Sequence, residues 1–500
     1  MVWKLVIIKI AIVLLPVVTM AGIDAQEFTL SNGMKVLVVE RHEAPVVSTR
    51  IWFNVGSVDE PSGSTGMAHL LEHMLFKGTQ SIGVTDYSKE TGYLVQEDSL
   101  WNLIDAANAR IENGDPTAQT DVDSLKARYD AVLTDHKQLI IKNELWDTYL
   151  NNGASGLNAS TSTDWTQYQV QLPANRLELW AALESDRMAT PVFREYYSER
   201  DVVKEERRRS YETRPFGLMY LKLYDTAFTT FPYKILTIGL MEDLFKMKRA
   251  TLADFYRRYY APNRATAVVV GDVNPKMLIP LMEKYFGSIP SQPDPPMVTI
   301  VEPPQTELRK ATVEFDSNPA MMMAWHMGDI HDPDNAALSV LGNILTDGRT
   351  SRMYKTIVEQ KQLASSVWCS PDPGKYPGLI VLSGTTQGEH TNEELETAAL
   401  DIIHDLQKNG ITTAELERVK KQSRMDYLQG LRSNAGLSFQ LGFYATTAGD
   451  WRMVEKAPDL IKAVTADDVQ RVANKYLVDT NRTVVYLINP SEQANAGEVK

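Results

Sequence analysis

Apolar positions along this chain follow two rhythms, and the places where one gives way to the other outline the fold. Phe28–Leu30 and Met34–Val39 are short β-type runs on either side of the turn residues Ser31-Asn32-Gly33, which predicts a hairpin-like opening, and Val46–Val55 is a further β-rich run. From Thr65 to Phe76 the period changes to that of a helix, with Met67, Leu70, Leu71, Met74 and Leu75 gathered on one side. Helical patterning continues from about Asp86 to Leu150. There Asp98–Glu112 and Asp121–Leu150 read as amphipathic helices split by the turn Asn113-Gly114-Asp115-Pro116. A glycine-rich lead-in from Gly153 opens a strand ending near Pro173, and helices are expected over Asn175–Met188 and about Tyr197–Glu212.

One pattern occurs twice. Thr251–Pro275 reads helix, turn, strand, and Thr465–Pro490 repeats it, each copy with a Tyr before the turn, an Asn and an Arg within it, and an apolar run closed by Asn-Pro. The repeat implies two homologous α+β domains. The expected organisation is an N-terminal domain over 26–288, a Pro-rich linker over 289–307, a C-terminal domain over 308–490 and a frayed tail over 491–500.

The polar face of the 65–76 helix carries the chemistry. At about 100° per residue, His69, Glu72 and His73 share one narrow face opposite the apolar one. Imidazoles at i and i+4 lie one turn apart and reach one cation, and a carboxylate at i+3 is placed to poise a water beside it. His-x-x-Glu-His is the inverted zincin signature. Two hydrogen-bonded histidines on a buried helix would show the same spacing. The glutamate between them favours the cation, because a buried carboxylate without a task costs several kcal/mol. Ser64 and Thr65 are the expected N-cap residues. In SERDVVKEERRR, Glu199 and Glu206 are two turns apart on one face, and Glu206 is the candidate third ligand of a His₂Glu zinc site. The second half has no His-x-x-Glu-His. Its His326 and His331 are expected at a strand end or in a loop.

Five hundred residues exceed one core. A formal charge of −13 argues against nucleic acid or an anionic membrane as the main partner. Lys4 before the apolar run Ile10–Val18, with Ala21 and Ala25 as cleavage points, reads as a secretory signal over 1–25. Lys9 leaves the run shorter than the roughly 20 apolar residues of a stable membrane anchor. Cys369 is the only cysteine, so no intrachain disulfide forms. Export without disulfides fits a bacterial periplasm.

The stretches GMAHLLEHMLFKGT, GLNASTSTDWTQY, LESDRMATPVF, ERDVVKEERR, EDLFKM and FYRRYYAPNRATAVVVGDV resemble the pitrilysin and insulinase (M16) family of zinc peptidases. The likeness is to its branch of two-domain subunits, which includes the mitochondrial processing peptidase and bacterial relatives. It covers nearly the whole mature chain, more strongly in the first half. The resemblance implies two domains, each a mostly antiparallel sheet packed with helices, and one Zn²⁺ per chain held by His69, His73 and Glu206. Glu72 is then the general base and Glu199 a glutamate supporting the site. The segment Gly156–Ser162 becomes a substrate-pairing edge strand, with Asn158 and Ala159 as substrate contacts.

Two departures from the family pattern stand out. The interval from His73 to Glu206 is 206 − 73 = 133 positions, longer than the family's, which implies a helical insertion at about 90–146. Its place in the chain suggests a role at the chamber mouth, limiting substrate size. The family's Arg and Tyr that bind the substrate carbonyl fall, in an ungapped match to Ser351–Val367, on Val358 and Ser365, with Arg352 and Tyr354 nearby as substitutes. The expectation is therefore a zinc endopeptidase acting on short or unfolded peptides in an enclosed chamber. The chain would be the zinc-bearing half of a heterodimer whose homologous partner supplies Arg and Tyr, a homodimer being the other arrangement. The contrasting reading is a non-catalytic scaffold or chaperone-like subunit.

Overall fold

The computed structural model describes residues 22–490; most of the expected signal and the tail 491–500 lie outside the described residues. The first sheet contains β1 (Ala25–Thr29), β2 (Lys35–Glu40), β3 (Val46–Phe53), β4 (Ser155–Thr161), β5 (Thr166–Pro173) and β6 (Ala265–Gly271), in the order β1-β2-β6-β3-β5-β4. The second contains β7 (Arg309–Glu314), β8 (Ala320–His326), β9 (Ala364–Asp372), β10 (Leu379–Thr386) and β11 (Arg482–Ile488), in the order β7-β11-β8-β10-β9. In each sheet one pair is parallel, β2 with β6 and β7 with β11, and every other neighbour is antiparallel. The second sheet thus repeats the first strand for strand, without the added β1.

The duplicated sequence pattern explains this correspondence. Helix Arg249–Tyr259 runs through a short turn into β6, and helix Ala466–Tyr476 does the same into β11. Both strands fill the equivalent inner position, where ATAVVVG is buried at every residue and TVVYLI nearly so.

The halves also exchange helices. Pro215–Ala227, from the first half, lies on the second sheet, where Met219 and Leu223 pack against Met322, Val381 and Val485. Asn434–Thr447, from the second half, lies on the first sheet, with Leu437 and Leu441 against Leu37, Trp52 and Val268. Gly442 permits the close approach: a Cβ there would lie 1.9 Å from Trp52 Nε1. Each sheet buries one face only with the other half's help, and each fully buried Leu contributes about 1.5–3 kcal/mol.

The helical stretch after the first histidine helix differs from expectation at its ends. Its first helix begins at Tyr87, capped by the Asp86 carboxylate accepting from Lys89 N at 3.1 Å, and runs to Glu112. Ala118–His136 returns antiparallel to it, and a separate helix covers Glu144–Asn151. The expected helix to Leu150 breaks after His136 because that ring is buried between Glu90 and Glu97, while the chain beyond it pairs Ile140 with Val84. The glycine-rich stretch forms two strands, not one: β4 and β5 make a hairpin closed by Ser162 N donating to Trp165 O at 2.8 Å. Among the described residues, no helix is long and apolar enough to cross a membrane.

Candidate metal centre and active site

The histidine helix spans Met67–Met74, with Met67, Leu70, Leu71 and Met74 fully buried. Its start is not capped by Ser64 or Thr65 as expected. The N-cap is Gly66 at φ +86°, where a Cβ would lie 2.8 Å from Ile238 O. The Thr65 hydroxyl is spent elsewhere, donating to Asp243 Oδ2 at 2.6 Å and accepting from Leu240 N at 2.8 Å. The free N–H groups of the first turn are taken instead by Glu60, whose carboxylate accepts from Gly66 N at 2.8 Å and Ala68 N at 2.7 Å.

The helix turns His69, Glu72 and His73 away from the core, and the two imidazole rings lie 4.8 Å apart. Facing them is the helix Tyr196–Arg207, which carries Glu206 in its last turn and continues into a π-helical turn from Arg208. Glu206 Oε1 is 3.7 Å from His69 Nε2, and Oε2 is 3.5 Å from His73 Nε2. These separations are long for hydrogen bonds. They suit donors around one tetrahedral cation, where bonds of about 2.0–2.1 Å place ligand atoms roughly 3.4 Å apart. Among the described residues, this is the one group of three His, Cys, Asp or Glu side chains whose ligand atoms converge so, all within 4.8 Å of one another. The donor set therefore fits zinc.

Glu199 stands behind the site. Its Oε1 accepts from His73 Nδ1 at 3.0 Å, which leaves the Nε2 lone pair directed at the shared position, and its Oε2 meets Lys77 Nζ at 2.6 Å. Burial raises the Glu199 carboxyl, but His73 and Lys77 outweigh it and bring it down to about 2. Burial, aided by neighbouring His73, lowers His69 to about 4, so this ring is neutral as a ligand must be. For Glu72, burial raises the carboxyl against the hydrogen bond from Thr161 Oγ1 to Oε2 at 2.6 Å.

Thr161 closes β4, which is the outer strand of its sheet: among the described residues no strand pairs with its far side. Asn158 is exposed on it, and Ala159 turns its methyl inward, 6% exposed, so that Ala159 offers its main chain alone. An open hollow of about 610 Å³ adjoins Glu206, with Val202, Arg209 and Arg214 in its wall.

The second half places its residues differently. Val358 sits in the turn Tyr354–Gln360, and Ser365 is exposed on β9 with its hydroxyl toward Thr385 O. Arg352 is held by Glu415 through two hydrogen bonds, at 2.7 and 3.0 Å, and is not free to act as a substitute. His326 ends β8 and bonds Ala227 O at 3.0 Å, while His331 lies in a turn.

Residues 35–91 match the family model "Insulinase (Peptidase family M16)", and residues 246–423 match "Peptidase M16 inactive domain". Both stretches thus match models of the M16 peptidase family. The first of these M16 stretches contains His69, Glu72 and His73; the second lies mostly in the half without them. A relative in Helicobacter pylori, the zinc protease PqqE, is 25% identical over 469 residues, covering 92% of each chain. The solved structure of a protease from Helicobacter pylori has a TM-score of 0.78 at 24% identity, over 93% of this chain and 99% of that one. The periplasmic protease PqqL of Escherichia coli has a TM-score of 0.70 at 17% identity, and this chain covers 48% of it. The chain thus has the two-domain M16 fold and zinc-protease relatives.

Three contributors to the site escape sequence reasoning: Glu60, Lys77 and Thr161. Lys77 and Thr161 lie inside stretches that the resemblance singled out. Nothing in their spacing says that one meets Glu199 and the other Glu72, since both contacts close across the tertiary fold.

Proposed function

We propose that this M16 chain is a zinc-dependent endopeptidase hydrolysing short or unfolded peptides in an enclosed chamber, as the zinc-bearing subunit of a heterodimer. The observation that carries this reading is the convergence of His69 Nε2, His73 Nε2 and the Glu206 carboxylate beside Glu72. His69, His73 and Glu206 would hold the ion, which when bound polarises a peptide carbonyl and acidifies water.

The remaining work belongs to the chain's own groups. Glu72 takes the proton of the attacking water and passes it to the leaving amine; burial raises its carboxyl above the ordinary glutamate value, which strengthens it as a base. Thr161 holds Oε2 of that carboxylate and leaves Oε1 for the water. Glu199 fixes the ring of His73. The free edge of β4 binds an extended peptide through its main chain at Asn158 and Ala159, which explains acceptance of varied sequences.

Two observations support the heterodimer. The positions that hold the family's carbonyl-binding Arg and Tyr are Val358 and Ser365, neither of which reaches or donates as needed, and Arg352 is committed to Glu415. PqqL is about twice this length, and its first half alone matches this chain over 94% of that half, which leaves room in that protein for a second unit. Export follows from the leader composition and is consistent with a periplasmic structural neighbour.

The test is direct. The purified chain binds one zinc and cleaves unfolded peptides feebly, and a homologous subunit carrying the Arg and Tyr restores turnover, each missing donor being worth about 10²–10³ in kcat. Full activity from a verified homodimer, or no gain with the partner, overturns the heterodimer. A chain that takes up no zinc overturns the whole reading.

A further inference from the structure

The inserted hairpin Tyr87–His136 is tied to the metal centre by a continuous set of hydrogen bonds. Its first helix contributes Glu90, fully buried. Both oxygens of Glu90 accept from Arg194, Oε1 from Nε at 2.7 Å and Oε2 from Nη2 at 2.9 Å. Arg194 is itself fully buried, and its other N–H groups hold the loop after the histidine helix: Nη1 donates to Lys77 O at 2.6 Å and Ile82 O at 2.9 Å, and Nη2 to Thr79 O at 2.6 Å. All five donors of the guanidinium are used. The loop is shaped for it. Gly78 and Gly83 both have positive φ, and a Cβ on either would stand 2.7 or 2.8 Å from Arg194 Nη1.

That loop carries Lys77, whose ammonium meets Glu199 Oε2 at 2.6 Å and Glu195 Oε2 at 3.6 Å. Glu199 has its other oxygen on His73 Nδ1 at 3.0 Å. At the hairpin end, His136 braces Glu90 at 3.1 Å and Glu97 at 2.6 Å, and Glu97 receives Arg249. The hairpin also grips the glutamate helix itself. Trp101 stacks on Tyr197 at 4.7 Å, and Tyr197, two residues before Glu199, donates to Asp98 at 2.7 Å.

We infer that the hairpin serves as the anchor of the metal centre, and that Lys77 is a positioning residue: Glu90 fixes Arg194, Arg194 fixes the 77–82 loop, and Lys77 turns the Glu199 carboxylate so that it holds His73 with Nε2 toward the metal position. The chemical logic is that of an oriented imidazole. A carboxylate free to rotate presents either oxygen to His73, whereas one pinned by an ammonium on Oε2 presents Oε1 alone. Partners standing behind a metal ligand commonly govern affinity by about 10–100-fold. This inference rests on the zinc reading above and gives the insertion a task within it.

The experiment measures zinc affinity of the full chain by chelator competition, with zinc alone as probe. Lys77→Met loses about 10–100-fold in affinity, and Lys77→Arg, which keeps the cation, recovers most of it. Glu90→Gln loses affinity as well. Because both act on one path, Lys77→Met with Glu90→Gln is no weaker than the worse single variant. Glu178→Gln, which breaks the exposed pair with Lys284, binds zinc as the wild type does.

Hydrogen exchange of the wild-type chain needs no variant that must fold. Zinc slows exchange across residues 77–83 and also in the first turns of the hairpin, near Glu90. Wild-type affinity in Lys77→Met, independent and additive losses in the double variant, or a hairpin whose exchange ignores zinc would each overturn the inference while leaving the zinc reading intact. A wild-type chain without zinc affinity would overturn both.

Discussion

The two halves of this protein share a strand order and differ in the helix that leaves one equivalent inner strand. After β3 the chain enters Met67–Met74, which keeps Met67, Leu70, Leu71 and Met74 in the core and turns His69, Glu72 and His73 out of it. After β8 it enters Asn335–Thr346, where Ala337, Leu338, Val340, Leu341, Ile344 and Leu345 are all buried and no His or Glu occurs. The same strand order supports a polar constellation in one half and, in the other, a largely buried helix without His or Glu. The sheet is maintained by apolar spacing, and the chemistry by a few side chains that the spacing leaves free.

Breaking this contrast at the metal helix has the largest expected effect. On the proposed mechanism, Glu72→Gln is expected to lower kcat by roughly 10²–10⁴-fold, the proposed base being removed, while zinc content measured by metal analysis stays as in the wild type. Glu206→Gln instead lowers zinc affinity. Retention of wild-type affinity in that variant would remove Glu206 from the ligand set.

The matching helix of the second half should respond only in stability. Leu341→Ala costs about 2–5 kcal/mol in denaturant unfolding through cavity formation, with zinc affinity unaltered in the folded fraction. The exchanged helices sharpen the comparison further. Leu223→Ala and Leu441→Ala, though in different halves, each cost about 2–5 kcal/mol and shift one common transition, because each helix covers the other half's sheet. Two separate transitions, with one half unaffected, would show that the exchange does not couple the halves.

The hairpin belongs to the first half alone, and it makes that half's stability depend on pH. Burial lowers the His136 imidazole, but its hydrogen bonds to Glu90 and Glu97 outweigh burial and raise it to about 9. A folded-state value above the ordinary 6.5 means that its contribution is fully present below pH 6.5 and is lost as pH rises through 9. The loss is on the order of 3–4 kcal/mol, at about 1.4 kcal/mol per pH unit, and is followed by intrinsic tryptophan fluorescence on denaturant titration at each pH. His136→Gln should flatten that dependence. The smallest effect expected is that of Thr161→Val, which removes one hydrogen bond from Glu72, about 1 kcal/mol or a fivefold fall in kcat, with zinc affinity unchanged.

Sequence alone determined the two-half α+β plan, because β6 and β11 sit in runs whose apolar period and turn residues are duplicated. It determined the pairing of His69 with His73 and the place of Glu72 between them, since helical geometry makes i, i+3 and i+4 neighbours whatever surrounds them. The common face of Glu199 and Glu206 was legible for the same reason. What only the tertiary structure decided is long-range. Glu60 rather than Ser64 or Thr65 caps the histidine helix, because Asp243 and Leu240 claim Thr65. The helix expected through Leu150 ends at His136, because that ring is drawn between two glutamates of the preceding helix. Lys77 on Glu199, Thr161 on Glu72 and the exchange of helices between sheets join residues far apart in sequence. Local period and propensity carry no record of such contacts, which exist only once the chain has closed on itself.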